Sequence, residues 1–429
     1  MKTYEYGKDN LTELFERLKQ RSSEFRPDVE ETCRDILNNV RDKGDKALLE
    51  YTRKFDGAAI DAIEVSKAEI ESAFNAIDRN LLKTIKRAAA NIRAFHEKQK
   101  ENSWFTSSNG IILGQKVTPL ERVGVYVPAG SAPLPSSVLM NVIPAKTAGV
   151  SEVILCSPPD KNGRINPLIL ACCKLTEVDR VFRVGGAQAI GAMAYGTETV
   201  PKADKIVGPG NIYVATAKKL VFGLCGIDMV AGPSEILIIA DQTANPAYVA
   251  ADLLSQAEHD MLASSVLVTT SKKLANEVMR QIHLQLPELP RKEIASKSLE
   301  DYGAVIITET IEEAVDIANT IAPEHLEVCV DEPFALLDSL KNAGAIFLGS
   351  YSPEPLGDYF AGPNHTLPTT GSARFFSPLG VYDFVKYQSV IYYSKEAFEK
   401  VSGDVAAFAD AEQLSAHANA IRIRGSEKK

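Results

Sequence analysis

The chain has no sustained basic block, no long apolar run, no C-x-x-C pair and no G-x-G-x-x-G loop. Over 429 residues, 47 lysines and arginines face 56 aspartates and glutamates, a net charge of −9. Nucleic acid and anionic membranes both demand a positive surface, so neither is an expected partner. Nothing is long and apolar enough to span a bilayer. From Met1 to Gln20 the chain is charged and amphipathic, without the apolar centre of a secretory signal. A cytoplasmic location is therefore the expectation. The six cysteines, Cys33, Cys156, Cys172, Cys173, Cys225 and Cys329, lie mostly in apolar runs such as Val153-Ile154-Leu155-Cys156. They read as buried, reduced thiols. A catalytic thiol, as in an aldehyde-oxidising enzyme, would need a basic partner brought by folding, since none is adjacent in sequence.

Histidine is scarce too, and its placement is informative. Of six histidines, four stand beside acids or amides: Gln256-Ala257-Glu258-His259, Glu324-His325, Asp358 with His365, and Glu412 with His417. Imidazole titrates near neutrality and is the commonest metal ligand. Clusters so far apart in sequence suggest one polar site assembled by folding, in an enzyme with a metal, a proton shuttle or both.

A chain this long predicts two or three domains. The first hundred residues read as helical, over 11–20, 28–55 and 67–100, with apolar residues at helical spacing and almost no glycine or proline. From Arg122 the texture changes to short β-rich runs alternating with helical ones. Strands are predicted at 123–127, 152–156, 180–184 and 205–207, then at 235–240, 265–269, 304–308, 326–330 and 345–348. Asn166-Pro167 and Asn245-Pro246 read as helix starts. Such alternation means βαβ units and parallel sheets. The expected architecture is α/β: two Rossmann-like doubly wound domains with helical N-terminal and C-terminal extensions. Its parts are an N-terminal helical arm (1–24), a first α/β domain with metal and catalytic residues (25–121 plus 234–378), a second Rossmann-like domain (122–233) and a C-terminal dimerisation segment (379–429). Ligands are expected at the carboxyl ends of the strands. Residues 350–380 form a long Gly/Pro-rich loop of the functional kind, and a helix is predicted to start at Asp410-Ala411-Glu412-Gln413.

Each cluster alone admits two readings. Gln256 and His259, at i and i+3, lie about 60° apart on a helix; they fit a ligand pair, a substrate clamp or a plain helix surface. Spacing alone would favour Glu258 or Asp260, because glutamine is an uncommon zinc ligand. Glu324-His325, at a helix-to-strand junction, fits an acid–base pair or a solvated turn. Asp358 and His365 fit a metal and substrate site or turn formation. His417, among alanines, fits a structural role or close packing against another subunit. Gly208-Pro209-Gly210-Asn211 follows a strand and opens a helix, which suits a phosphate. Neither it nor Gly185-Gly186-Ala187-Gln188 has dinucleotide spacing, and no acid occupies a convincing ribose position.

Taken together, RVGVYVPAG at 122–130, VGGAQAI at 184–190, VGPGN at 207–211, AGPSE at 231–235, LSQAEH at 254–259, APEHL at 322–326 and GPNH at 362–365 resemble the histidinol dehydrogenase family. The resemblance runs from about residue 25 to the C-terminus, in the family's order. It implies an oxidoreductase that converts L-histidinol, two NAD and water to L-histidine and two NADH through L-histidinal, the last step of histidine biosynthesis. It implies one zinc per subunit on Gln256, His259, Asp358 and a partner's His417. The general base matches His325, and Glu324 matches the group that activates water. Substrate contacts match Ser234, Gln256, His259, His325, Asp358, His365, Glu412 and His417; cofactor contacts match Tyr126, Gln188 and Asn211. The implied assembly is a homodimer with shared sites and an atypical Rossmann-like NAD site. Rival classes are a zinc hydrolase, in which Glu324 would activate water without a nicotinamide, and a non-catalytic binding protein of the same fold.

Overall fold

The structure is a computed structural model that describes residues 1–21, 27–129 and 133–425. The expected boundary at 24/25, and Gly130 of the first motif, fall outside the described residues. The chain forms two compact units: Met1–Gln99 with Leu120–Phe384, and Lys100–Pro119 with Val385–Lys429.

The first unit holds two parallel sheets. Strand β1 (Lys2–Glu5) opens the chain; β2 (Trp104–Ser108) and β3 (Ile111–Pro119) belong to the second unit. Strands β4 (Arg122–Tyr126), β5 (Glu152–Ser157), β6 (Arg180–Arg183), β7 (Lys205–Val207) and β8 (Gly226–Ile227) form a five-stranded sheet in the order β6-β5-β4-β7-β8. Strands β9 (Glu235–Ala240), β10 (Ser264–Thr269), β11 (Gly303–Ile307), β12 (His325–Cys329) and β13 (Ala345–Leu348) join β1 in a six-stranded sheet, β1-β11-β10-β9-β12-β13. Both series thus run 3-2-1-4-5, the doubly wound order, with β1 added at one edge.

Continuous apolar runs explain the layering. All six residues of β9 and all six of β10 are buried, as strands covered on both faces must be. One face of the six-stranded sheet packs against helices Pro246–Ala257, Lys272–Gln285 and Lys292–Tyr302, the other against Thr12–Lys19 and Ile311–Ile321. The five-stranded sheet is likewise covered by Pro27–Lys43, Gly186–Tyr195 and Ile212–Val221 on one face, and by Pro135–Ala148 and Pro167–Leu175 on the other. Side-chain caps fix helix starts: Asn166, Asn211 and Asn245 each accept a backbone N–H of their own first turn.

The second unit is built on an antiparallel sheet, β14 (Val385–Tyr393)-β3-β2, in which all nine residues of β14 pair with β3. Helices Lys395–Ala411 and Ser415–Gly425 follow. Trp104, Phe105, Ile391, Phe408 and Ile423 are exposed.

Several expectations change. The N-terminal stretch is not all helix, because residues 2–5 extend the six-stranded sheet beside β11. The helix expected over 28–55 breaks at Gly44, which takes φ 51°, and the one over 67–100 breaks before Asp78, which caps a second helix. The C-terminal segment is part strand. The helix expected to start at Asp410 starts instead at Ser415: Asp410 and Ala411 end the preceding helix, and Gln413 takes φ 63°, which no continuing helix allows. Among the described residues, no helix is long and apolar enough to cross a membrane.

Candidate active site

A cleft of about 520 Å³ opens in the first unit between the two sheets. Its walls use opposite strand ends. On one side stand the loops that follow β7 and β8; on the other stand the residues that precede or begin β9 and β12. The expectation of carboxyl ends therefore holds for the five-stranded sheet and is corrected for the six-stranded one, whose amino ends face the cleft.

Helix Pro246–Ala257 starts on Asn245, whose side chain accepts the Ala247 N–H at 2.9 Å, and points its last turn at the cleft. Gln256 there is fully buried, yet neither its amide oxygen nor its nitrogen has a hydrogen-bond partner. Such orphaned polar atoms are rare and costly. The helix stops at Glu258, so His259 sits just beyond it and opens to the cleft. Residues 354–361, expected as open loop, instead coil into a short helix, Glu354–Leu356, and a π turn, Gly357–Ala361, which carries Asp358. Ligand atoms of His259, Glu354 and Asp358 lie within 4.8 Å of one another.

The pair Glu324-His325 enters β12 after Ala322, which ends the preceding helix in the left-handed region. His325 Nδ1 donates to the carbonyl of Glu235 at 2.9 Å. In the neutral ring that fixes the tautomer and leaves Nε2 as the unprotonated nitrogen; Nε2 is buried without a hydrogen bond and 3.7 Å from Asp358 Oδ1. Glu324 Oε2 accepts the N–H of the same Glu235 at 2.9 Å and lies 3.7 Å from His325 Nδ1. The Glu235 side chain is held in turn by a buried ion pair with Arg21 and by the Thr370 N–H at 3.1 Å. His365 Nδ1 is 4.0 Å from Asp358 Oδ1, and Ser234 lines the cleft.

Burial and neighbouring charge set the protonation states. Burial pushes Glu324 up to about 7, against the pull of His325. Burial lowers His325, but the carboxylates of Glu324 and Asp358 outweigh it and raise the ring to about 10. Burial raises Asp358, and the surrounding imidazoles overcome this and bring it to about 2. Behind them, burial raises Glu354 to about 8, Glu327 to about 9 and Asp252 to about 6. Glu327 Oε1 accepts the Glu354 N–H at 2.7 Å.

At the carboxyl ends of the five-stranded sheet, Tyr126 finishes β4 and its phenol oxygen accepts the Gly186 N–H at 3.1 Å. Gln188 is buried with its amide nitrogen unpartnered. Asn211 caps helix Ile212–Val221 through the N–H groups of Tyr213 and Val214, at 3.1 and 3.2 Å, and lines the cleft. Thus Ser234, Gln256, His259, Glu324, His325, Asp358, His365 and Asn211 share one cleft. Tyr126 and Gln188 do not line it. Glu412 and His417 belong to the second unit, where both are exposed; Glu412 caps the end of helix Lys395–Ala411. Sequence reading missed Glu354, although its place four residues before Asp358 is a helical spacing. It also missed Arg21, which no local pattern marks, and Glu235, which lies in the AGPSE motif but was given no role.

Two doubly wound sheets around a cleft that gathers imidazoles, carboxylates and an orphaned amide define an α/β enzyme with a metal-capable site. The histidinol dehydrogenase family model matches residues 19–425. The chain is 53% identical over 411 residues to a histidinol dehydrogenase of Clostridium acetobutylicum, covering 96% of this chain and 95% of that one. It is 56% identical over 419 residues to that of Aquifex aeolicus, covering 97% of each. A crystal structure of histidinol dehydrogenase from Elizabethkingia anophelis superposes with a TM-score of 0.93 at 41% identity, covering 99% of this chain and 98% of that one. The chain belongs to the histidinol dehydrogenase family, whose members are oxidoreductases.

Glu324 gives a test of the site's electrostatics. Its carboxyl binds a proton more tightly in the folded protein, at about 7, than at its ordinary 4.5. The stability it contributes is full below pH 4.5 and is lost as pH rises through 7. The difference is worth roughly 3 kcal/mol. In chelator-treated protein, Glu324→Gln should flatten the fall in unfolding free energy across that window, measured by urea denaturation at a series of pH values. A variant with the wild-type slope would place the tightly held proton elsewhere.

Proposed function

We propose that the chain oxidises L-histidinol to L-histidine in two NAD-dependent steps, with one zinc per subunit. The observation that carries this reading is the Glu324-His325 pair, anchored on the two backbone groups of Glu235 and facing Asp358 across a cleft shared with Asn211. The donor set fits zinc. Gln256 offers buried amide atoms that nothing else satisfies, and His259 and Asp358 supply imidazole and carboxylate within ligand reach. Gln256, His259 and Asp358 would hold the metal, completed by His417 of the partner subunit. Bound zinc supplies positive charge and an anchor for the substrate's nitrogens, and NAD accepts hydride.

The remaining chemistry belongs to the chain. His325 Nε2, oriented by the Glu235 carbonyl, takes the hydroxyl proton of histidinol as hydride leaves the carbinol carbon. With Asp358 engaged by a cation, part of the pull that raises His325 would weaken, which favours the unprotonated, basic ring. Water then adds to histidinal with help from Glu324, whose carboxyl stands near 7. The resulting diol loses a second hydride and proton. Ser234, His365 and Glu412 orient the substrate, while Tyr126, Gln188 and Asn211 contact the nucleotide. The exposed apolar side chains of the second unit support a homodimer. Six unpaired, buried cysteines support a reducing, cytoplasmic setting.

The direct test is stoichiometry. Purified enzyme should form two NADH per histidinol consumed, and a chelator should abolish turnover with zinc restoring it. Histidinol consumption without NADH would favour the hydrolase class and sink the reading.

His325→Asn should retain zinc and lower turnover by about 10²–10⁴-fold, the usual worth of a positioned base. Near-wild-type turnover in that variant would remove His325 from the role.

Shared sites make two lesions complementary. His259→Asn and His417→Asn homodimers should both be inactive. Random exchange of equal amounts makes half the dimers mixed, each with one intact site, and so restores about one quarter of wild-type activity. A mixture that stays inactive, with exchange shown by mass-tagged subunits, would place His417 within its own chain's site.

A further inference from the structure

We infer that Lys218 and Asp228 are positioning residues for the dinucleotide: a buried ion pair that holds the N–H and the carbonyl of Gly208 and fixes the loop 208–211 against the cleft. The inference rests on the NAD reading above. Lys218 projects inward from helix Ile212–Val221, the helix that Asn211 caps, and Asp228 follows β8. Their side chains are 2% and 1% exposed and in direct ionic contact.

What the pair holds is specific. Asp228 Oδ2 accepts the Gly208 N–H at 2.8 Å, and Lys218 Nζ donates to the Gly208 carbonyl at 2.9 Å. Asp228 Oδ1 also accepts the Met229 N–H at 2.7 Å. Gly208 takes φ 116°, and a Cβ there would lie 2.1 Å from the Tyr126 carbonyl oxygen. This peptide leaves the strand in a conformation that no regular ladder supports, and the next residue, Pro209, has no N–H to donate. The ion pair substitutes for the missing backbone partners. It reaches both cleft walls, because residues 208–211 line the nucleotide side while Met229, Gly232 and Ser234 lead to β9 and the substrate side.

Stability alone does not account for such a pair. A buried salt bridge loses much of its Coulomb gain to desolvation, and an apolar pair of similar volume often serves stability equally well. Its distinctive product is the geometry of the loop: both backbone polar groups of Gly208 satisfied at once, with Asn211 three residues away. Loosening it should cost nucleotide affinity first.

The test compares Lys218→Met and Asp228→Asn with wild type, using NAD and NADH affinity by calorimetry, zinc content, and separate KM values for NAD and histidinol. Lys218→Met leaves the Gly208 carbonyl without its donor; Asp228→Asn keeps an acceptor for the N–H groups but removes the charge, and guards against failure of the first variant to fold. The expected result is a 10- to 100-fold weaker NAD affinity in Lys218→Met, about the worth of a charge-assisted hydrogen bond. Asp228→Asn should show a smaller loss in the same direction. Zinc content and the histidinol KM should stay within about twofold in both. NAD affinity within about twofold of wild type would overturn the inference, as would parallel losses of NAD, histidinol and zinc binding. The wild type in the same series separates the two ideas: an active wild type with unaffected variants removes only the positioning role, whereas a wild type that neither binds nor reduces NAD overturns the functional reading and this inference together.

Discussion

The site hangs on one residue of backbone. Glu235, the first residue of β9, gives its N–H to Glu324 and takes the Nδ1–H of His325 at its carbonyl. Register makes this work, since His325 pairs with Ile236 on the neighbouring strand, so that its ring meets the peptide one step earlier. The Glu235 side chain is pinned by Arg21 and Thr370, from segments far away in sequence. Arg21 also donates to the carbonyls of Leu18 and Leu262, so an arginine of the N-terminal segment locks the amino end of the central strand. Glu324 and His325 are therefore oriented by main chain, which has no rotamers to lose.

A second constraint lies behind the first. Asp252, Gln256 and His259 follow one another at four and three residues along a helix and its end, while Glu327 is two residues beyond His325 on β12. Asp252 and Glu327 line one small pocket; burial raises both carboxyls, and the charge of Asp252 helps hold the proton on Glu327. That shared pocket joins the helix bearing the metal-capable side chains to the strand bearing His325. Glu327 also takes the Glu354 N–H, so the turn leading to Asp358 is fixed at the same point.

Much of this was legible in the sequence. Strand and helix alternation after Arg122 yields both sheets, because apolar runs of five or six residues flanked by glycine, proline and asparagine have few other uses. Asn245-Pro246 and Asn166-Pro167 marked helix starts by their capping chemistry. What stayed hidden depends on partners remote in sequence. Strand β1 is four residues with no alternation of its own and exists because β11 offers an open edge. Strand β14 pairs with β3 across more than 250 residues. Glu235 reads as an ordinary strand residue until Arg21 is folded against it. The side of the sheet that carries chemistry was also illegible, since strand periodicity sets which face is buried but not which end is used.

That choice of ends has an electrical consequence. Strands of one sheet finish at the cleft and strands of the other begin there, so the helices between them meet it with opposite poles. Ile212–Val221 presents its amino end, with partial positive charge; Pro246–Ala257 presents its carboxyl end, with partial negative charge. The backbone alone sorts charge across the gap. The field favours an anion on the wall of Asn211 and a cation on the wall of Gln256 and His259, before any ionised side chain is counted. Two sheets set head to head could not do this, because both walls would then carry the same sign.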